Sequence, residues 1–314
     1  MTAENNNMRG RDLLSLHDFT GAEIQEILDL AAELKYKQKN NITHHYLQGK
    51  TLGMIFQKSS TRTRVSFEIA MYQLGGYPLF LSAQDLQLGR GESVSDTARV
   101  LSRYLDGIMI RTYDHSNVVE LAKHADIPVI NGLTDLLHPC QILADLQTIK
   151  EHFGQLKGLK LAYVGDGNNI CHSLLFGCAK TGLHISVACP EGYAPDPEIV
   201  RLATEDAQQT GSLIQIMADP TAATTGAHIL VTDVWTSMGQ EEEQIKRHTV
   251  FPPYQVNEKL AANAAQDYIF LHCLPAHRGE EVTGEIIDGP HSLVWDEAEN
   301  RLHAQKAVLA LLMG

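Results

Sequence analysis

Between residues 56 and 68 the chain reads Phe-Gln-Lys-Ser-Ser-Thr-Arg-Thr-Arg-Val-Ser-Phe-Glu, which gathers hydroxyls and guanidiniums where a helix would begin. The chemistry this favours is the grip of a phosphate. The first amides of a helix have no partner inside it, so an anion accepts several hydrogen bonds there in the favourable field of the helix dipole. Ser60, Thr61 and Thr63 add hydroxyl donors. Arg62 and Arg64 stand on different faces of such a helix, so only one of them points at the anion; Arg62 is expected there, with Arg64 paired elsewhere. The same residues also fit an ordinary serine N-cap followed by two solvated arginines.

The elements that must position this grip are a short buried strand over Thr51–Phe56 and a helix starting at the Ser59/Ser60 pair. In that helix Val65, Phe67, Ala70, Met71 and Leu74 recur at helical spacing until Gly75-Gly76 ends the pattern. The first half alternates throughout: helix about 20–39, strand 51–56, helix 61–74, strand 77–82, helix 93–104, strand 107–112, helix 116–125, strand 128–132. A long helical pattern over 138–152 is followed by Phe153-Gly154 and Lys157-Gly158. A second series then opens at Leu159–Val164, with strand-like runs at 184–189, 213–217, 228–232 and 268–273. Such alternation predicts an α/β chain of two doubly wound parallel-sheet domains with a boundary near 150, facing a central cleft. Ligands of open α/β sheets sit beyond the carboxyl ends of the strands, and the polar clusters of this chain fall there. They are Arg111, His138-Pro-Cys-Gln141, Gly165-Asp-Gly-Asn-Asn169, Asp233-Val-Trp-Thr-Ser-Met-Gly239 and His272-Cys-Leu-Pro275. The acidic run Glu241-Glu-Glu243 reads as the first turn of a surface helix.

Composition narrows the classes. The 314 residues suffice for two cores, and no apolar run approaches the length of a membrane span. A formal charge of −13 argues against nucleic acid as a partner and requires arginines at any anion site to act locally against the global field. Five cysteines without CxxC spacing argue for a reducing compartment, and the polar first eight residues do not read as a signal peptide, so the cytosol is expected.

The motifs, taken in order from about Arg11 to Leu312, resemble the aspartate/ornithine carbamoyltransferase family, in which a Ser-Thr-Arg-Thr run holds the phosphate of carbamoyl phosphate. The Asp-x-x-x-Ser-Met-Gly element, here Asp233 to Gly239, belongs to the ornithine branch. The resemblance implies residues 1–150 as the carbamoyl-phosphate domain, with a C-terminal helix at about 297–314 packing back on it, and 151–296 as the ornithine domain. It implies carbamoyl transfer to the δ-amine of L-ornithine without cofactor or metal. It assigns Ser60, Thr61, Arg62, Thr63, Arg111, His138, Gln141, Cys273, Leu274 and Arg301 to carbamoyl phosphate, and Gln87 as a contact from a neighbouring subunit of a homotrimer. Arg111 is placed to reach phosphate and carbonyl oxygen, His138 to donate to the carbonyl, Gln141 to read the carbamoyl NH2, and Arg301 to help hold that group. For the acceptor, Asp233 and Ser237 suit the α-ammonium, while Asn169 and the backbone amide of Met238 suit the α-carboxylate. Asp233 and Cys273 form a relay near the reacting amine. A cis Leu274-Pro275 peptide would turn the Leu274 carbonyl to that amine, and Cys273 is not expected to be a covalent nucleophile. Arginine biosynthesis is the expected setting.

Other readings fit parts of the chain. Gly165-Asp-Gly-Asn-Asn-Ile170 follows a strand and opens a helix as a dinucleotide loop does, but Ile170 replaces the third glycine. His272, Cys273 and His277 would serve a metal hydrolase, although Pro275 intervenes. His138 before a proline, Arg111 at a strand end and Asp233 as a helix cap each have a purely structural reading. A carbamoyltransferase for another amine such as putrescine, and an inactive homologue serving as a binding subunit, complete the alternatives.

Overall fold

A computed structural model describes residues 7–83, 86, 91–236 and 241–314, the Glu241 side chain excepted. Contacts divide the chain into two compact units: residues up to Gln147 together with Glu299–Gly314, and Thr148–Ala298.

The first unit opens with α1 (Gly21–Lys39), started by a reciprocal capping box between Thr20 and Glu23. It continues through β1 (Thr51–Phe56), α2 (Thr61–Gln73), β2 (Tyr77–Ser82), α3 (Val94–Leu101), β3 (Gly107–Arg111), α4 (His115–His124) and β4 (Val129–Leu133) into α5 (Pro139–Phe153), whose last turns, from Thr148, belong to the second unit. The four strands are parallel in the order β2-β1-β3-β4. Consecutive strands β2 and β3 therefore lie on opposite sides of β1, and the chain reverses its winding beside the carboxyl ends of β1 and β3. Phe56 pairs with Arg111 in that register, which sets Arg111 beside the start of α2. Ile55, Ala98, Ile108, Ile110, Val118, Leu121 and Val129 pack as one buried cluster under this sheet.

The second unit runs through β5 (Lys160–Val164), α6 (Asn169–Thr181), β6 (His184–Ala188), α7 (Pro197–Thr210), β7 (Ile214–Met217), α8 (Pro220–Thr224), β8 (Ile229–Val231), α9 (Gln244–Val250), α10 (Glu258–Ala261), β9 (Ile269–Leu271) and α11 (Gly284–Ile287). Its strands are also parallel, in the order β7-β6-β5-β8-β9, so the winding reverses between β5 and β8. The acidic run forms a 3-10 turn at Glu241–Glu243 that leads into α9.

The last helix, α12 (Val294–Met313), starts within the second unit and ends within the first. From Arg301 to Met313 nearly every residue is buried, so this helix is enclosed around its circumference, with Arg301, His303, Gln305 and Lys306 buried in its first half and apolar residues from Ala307 on. Gly107 marks where it meets β3, because a Cβ there would lie 2.8 Å from the Met313 sulfur. Lys306 is fully buried on the same helix. Its ammonium donates to Gln73 Oε1 at 2.9 Å and to His44 Nε2 at 3.2 Å, and burial pulls its pKa down to about 8.

One expectation of the helical pattern is corrected. Phe67, Ala70, Met71 and Leu74 are buried, but Val65 is 51% exposed. It belongs with Ile69 and Tyr72 to a second apolar stripe on α2, spaced i, i+4, i+7 and turned away from the core. The edge strand β2 also exposes Tyr77, Leu79 and Phe80.

Candidate functional site

In the first unit the site begins at α2. Ser60 has extended backbone, and its Oγ accepts the Thr63 amide at 3.2 Å, so it is the N-cap. Thr61 is exposed, Arg62 and Ser60 are half-buried, and Thr63 is buried. Arg64 turns away, pairs with Glu68 at 3.0 Å and lies 3.7 Å over the Phe80 ring.

Two buried guanidiniums close on the same spot. Arg111, at the end of β3, and Arg301, on α12, bring Nη1 and Nη2 within 3.5 and 3.4 Å of Thr63 Oγ1. Arg301 also donates to Gln141 Oε1 at 2.7 Å, and Gln141 Nε2 donates to Asp145 at 2.8 Å. That pair of bonds fixes the orientation of the Gln141 amide. His138 is fully buried at the start of α5. Burial, and then the charges of Arg301, Arg111, Arg62 and Lys58, hold its pKa well below the ordinary histidine value. A neutral imidazole both donates and accepts, and four cations act on this one in an otherwise acidic protein. Lys58 was not read from the sequence; its ammonium is buried, bonded to Asp135 at 3.0 Å and set over the Tyr113 ring.

In the second unit the corresponding corner has the opposite character. Asn168 caps α6 with its own side chain, Oδ1 accepting the amides of Ile170 and Cys171 at 3.0 and 3.2 Å. Its Nδ2 donates to Asp233 Oδ2 at 2.7 Å, and the thiol of Cys273 donates to Asp233 Oδ1 at 3.1 Å. Asp233 is thus a buried carboxylate in the loop after β8 with one donor on each oxygen, and it caps no helix among the described residues. Asn169 is the first residue of α6 and is buried. Asp166 on the same loop pairs with Arg247 at 2.6 Å, and Arg247 also donates to the Trp235 carbonyl at 2.7 Å and to Glu243 at 3.0 Å. Ser237, Met238 and Gly239, like Gln87 in the first unit, lie outside the described residues.

Beyond β9 the His272–Pro275 segment is tied down by two buried carboxylates. Glu297 accepts the His272 amide at 2.8 Å, and Glu281 Oε1 faces His272 Nε2 at 3.3 Å while accepting the His277 amide at 2.5 Å. Burial raises the pKa of Glu281, but these hydrogen bonds outweigh it and keep the carboxyl below its usual range. The Leu274-Pro275 peptide is cis. Among the described residues, Asp233, His272 and Cys273 come close enough to share an ion, as do His277, Glu280 and Glu281. In the first set both His272 nitrogens are already engaged, by Leu274 N–H and by Glu281, which leaves no imidazole lone pair for a metal. His277 does not join His272 and Cys273 in one set, so the metal-hydrolase grouping is not assembled.

The dinucleotide reading fails on local packing. A Cβ on Gly167 would lie 2.2 Å from the Pro195 nitrogen, so this glycine serves a close approach of chain to chain. The α6 amides that would hold a pyrophosphate are taken by Asn168.

Two family models cover the sequence. The carbamoyl-P binding domain of aspartate/ornithine carbamoyltransferase matches residues 11–151, and the Asp/Orn binding domain of the same family matches 157–312. The chain belongs to the aspartate/ornithine carbamoyltransferase family. Within this family it is 64% identical over 306 residues to an ornithine carbamoyltransferase of Carboxydothermus hydrogenoformans, covering 98% of each chain. A protein of Pyrococcus furiosus named as an anabolic ornithine carbamoyltransferase is 58% identical, again over 98% of each chain. The solved structure of the ornithine carbamoyltransferase from Pyrococcus furiosus superposes with a TM-score of 0.95 at 58% identity, covering 98% of both chains. The anabolic enzyme structure from Campylobacter jejuni gives 0.90 at 42% identity, over 95% of this chain and 97% of that one.

Proposed function

We propose that this protein transfers the carbamoyl group of carbamoyl phosphate to the δ-amine of L-ornithine, giving L-citrulline and phosphate for arginine biosynthesis. The observation that carries the reading is the neutral, buried His138 set among Arg62, Arg111, Arg301 and Lys58, in a chain whose full-length relatives bear the name of that activity.

Carbamoyl transfer forms a C–N bond to an uncharged amine, passes through a tetrahedral oxyanion and breaks the C–O bond to phosphate. On this reading Ser60, Thr61, Arg62 and Thr63 hold the phosphate, and Arg111 reaches both the phosphate and the carbonyl oxygen. His138 donates to that oxygen from one ring nitrogen. Arg301 and Gln141, already bonded to each other, orient the carbamoyl group. Donors fixed before the charge develops need no reorganisation, and losing one such donor typically costs about 3 to 4 kcal/mol, or 100- to 1,000-fold in rate. In the acceptor half-site Asp233 receives the α-ammonium together with Ser237, and Asn169 with the Met238 amide receives the α-carboxylate. The δ-amine has an unperturbed pKa of about 10.4, so its neutral form is scarce at pH 7 and must be bound as such; Asp233 with the Cys273 thiol forms a relay that takes a proton from the nitrogen as the C–N bond forms, and the Leu274 carbonyl accepts an amine N–H.

The protein acts as a cytosolic homotrimer, with Gln87 completing a neighbour's site. Support comes from the five free cysteines and from the apolar stripe of Val65, Ile69 and Tyr72 beside the exposed edge strand β2. No described helix is long and apolar enough to cross a membrane.

The test is citrulline formation by the purified protein with carbamoyl phosphate, comparing L-ornithine with putrescine, N-acetylornithine and aspartate. Strong preference for ornithine is expected. Turnover only with another acceptor would overturn the acceptor assignment, and no transfer to any amine would leave a binding subunit.

A further inference from the structure

The residues Cys273–Ala276 carry the thiol that donates to Asp233 and the carbonyl of Leu274, and both ends of this stretch are fastened to one side chain. His272 precedes it, and His277 follows it. Glu281 Oε1 faces the ring Nε2 of the first at 3.3 Å and accepts the main-chain amide of the second at 2.5 Å.

The ring's protonation follows from its other contact. His272 Nδ1 lies 2.9 Å from the Leu274 nitrogen, and an amide N–H only donates, so Nδ1 is the lone-pair nitrogen and the proton sits on Nε2. That N–H then donates to Glu281. Both side chains are fully shielded from water, so Glu281 and the Leu274 amide together select this tautomer. In the opposite tautomer the Nδ1 proton would confront the Leu274 N–H, donor against donor, and Leu274 would have to move. The His272 main chain is held separately by Glu297 at 2.8 Å, so disturbance at Glu281 falls on Cys273 and Leu274 rather than on the end of β9.

We propose that Glu281 is a positioning residue for the transfer reaction: by fixing the His272 tautomer and holding the His277 amide, it sets the Cys273–Leu274 turn against the acceptor amine. The proposal rests on the acceptor half-site described under the proposed function. It adds a residue that touches neither substrate and acts only through the shape of this turn.

The test compares Glu281→Ala with Glu281→Gln, which keeps an oxygen able to accept both hydrogen bonds. In Glu281→Ala, kcat with ornithine should fall on the order of 100-fold, the scale set by a misplacement of about 1 Å, while carbamoyl phosphate affinity stays within about twofold. Glu281→Gln should retain kcat within about threefold. Cys273 is the one cysteine of five that is not buried, so its alkylation by iodoacetamide reports the turn directly. That rate should change about fivefold in Glu281→Ala and stay unchanged in Glu281→Gln. Ring-nitrogen NMR shifts of the wild-type protein should show His272 protonated on Nε2. Wild-type kcat and alkylation in Glu281→Ala would overturn the proposal, as would an Nδ1–H tautomer in the wild-type protein or a 100-fold loss in Glu281→Gln. If Glu281→Ala does not fold, the tautomer and Glu281→Gln decide alone. The tautomer and alkylation readouts need no turnover, so failure of the ornithine reading and failure of Glu281's hold on the turn are told apart.

Discussion

Two helices, α2 and α6, begin at equivalent places in two parallel sheets. Each follows the strand beside which the winding reverses, and each opens with small polar residues. The charges around them are nonetheless of opposite sign. At α2 the cap is a serine hydroxyl that takes one amide, and the surrounding charges are Arg62, Arg111, Arg301 and Lys58. At α6 the cap is a carboxamide that takes two amides, and its free end carries a donor to the buried carboxylate of Asp233. The fold supplies a place for a ligand, and the capping residue with its neighbours decides the sign of the charge that belongs there.

The contrast is broken most sharply from the first helix. Arg62→Ala should weaken carbamoyl phosphate binding about 100-fold, the loss of a charged hydrogen bond worth about 3 kcal/mol, as read by calorimetry. Wild-type affinity would mean that the start of α2 is only a capped helix. In the second unit, Asp233→Ala should raise the ornithine KM and depress kcat, lowering kcat/KM by about 30-fold, or about 2 kcal/mol, while carbamoyl phosphate binding is spared. Unchanged steady-state kinetics would remove Asp233 from the acceptor site.

A smaller effect is expected for Asn168→Ala. The lost cap should cost about 1 kcal/mol and a Tm drop of about 2 to 4 °C, with a modest rise in ornithine KM because Asp233 loses a donor. A Tm change without any change in KM would confine Asn168 to the helix. The smallest is a pH effect at His138. Its folded pKa is depressed, so the unfolded chain binds a proton near pH 6.5 that the folded chain refuses, and stability falls as pH drops below that value. The Tm of His138→Gln should therefore decline less than that of the unmodified protein between pH 7 and 5.

How much of this could be read in advance depended on how local each cause is. Alternation of apolar runs gave both parallel sheets, since strand and helix periods are local properties. The runs at 228–232 and 268–273 overshot their strands, Ile229–Val231 and Ile269–Leu271, because polar loop residues with apolar neighbours look like strand ends. Helices of four or five residues, such as α8, α10 and α11, are too short to show a period. Val65 shares its helical spacing with the core residues yet is exposed, because α2 carries two apolar stripes and spacing alone does not say which one meets the sheet. Within the site, Arg111, Asp233 and Cys273 follow strands and His138 and Gln141 open a helix, but it is the family resemblance, not residue type alone, that picks them out. Glu281 stands out by neither, and Glu297 shows only as part of the Glu297–Arg301 run: their partner His272 lies 9 and 25 residues away, and an acidic residue has no signature of being buried. Asn168 lay in a motif already noted, one position before the residue chosen, and only the cap geometry distinguishes the two.

Lys306 gives the fold a proton stoichiometry. Its ammonium is buried with an amide and an imidazole for company, and its folded pKa of about 8 lies below the ordinary lysine value of 10.5. Between those values the unfolded chain carries a proton that the folded chain does not, so folding expels one and stability rises with pH across the window. Calorimetric unfolding enthalpies near pH 9 should then depend on the ionisation heat of the buffer, and Lys306→Met should reduce that dependence by one proton while stabilising the protein at pH 7. The lysine at the heart of α12 thereby makes the solution's buffer a participant in the assembly of the first unit.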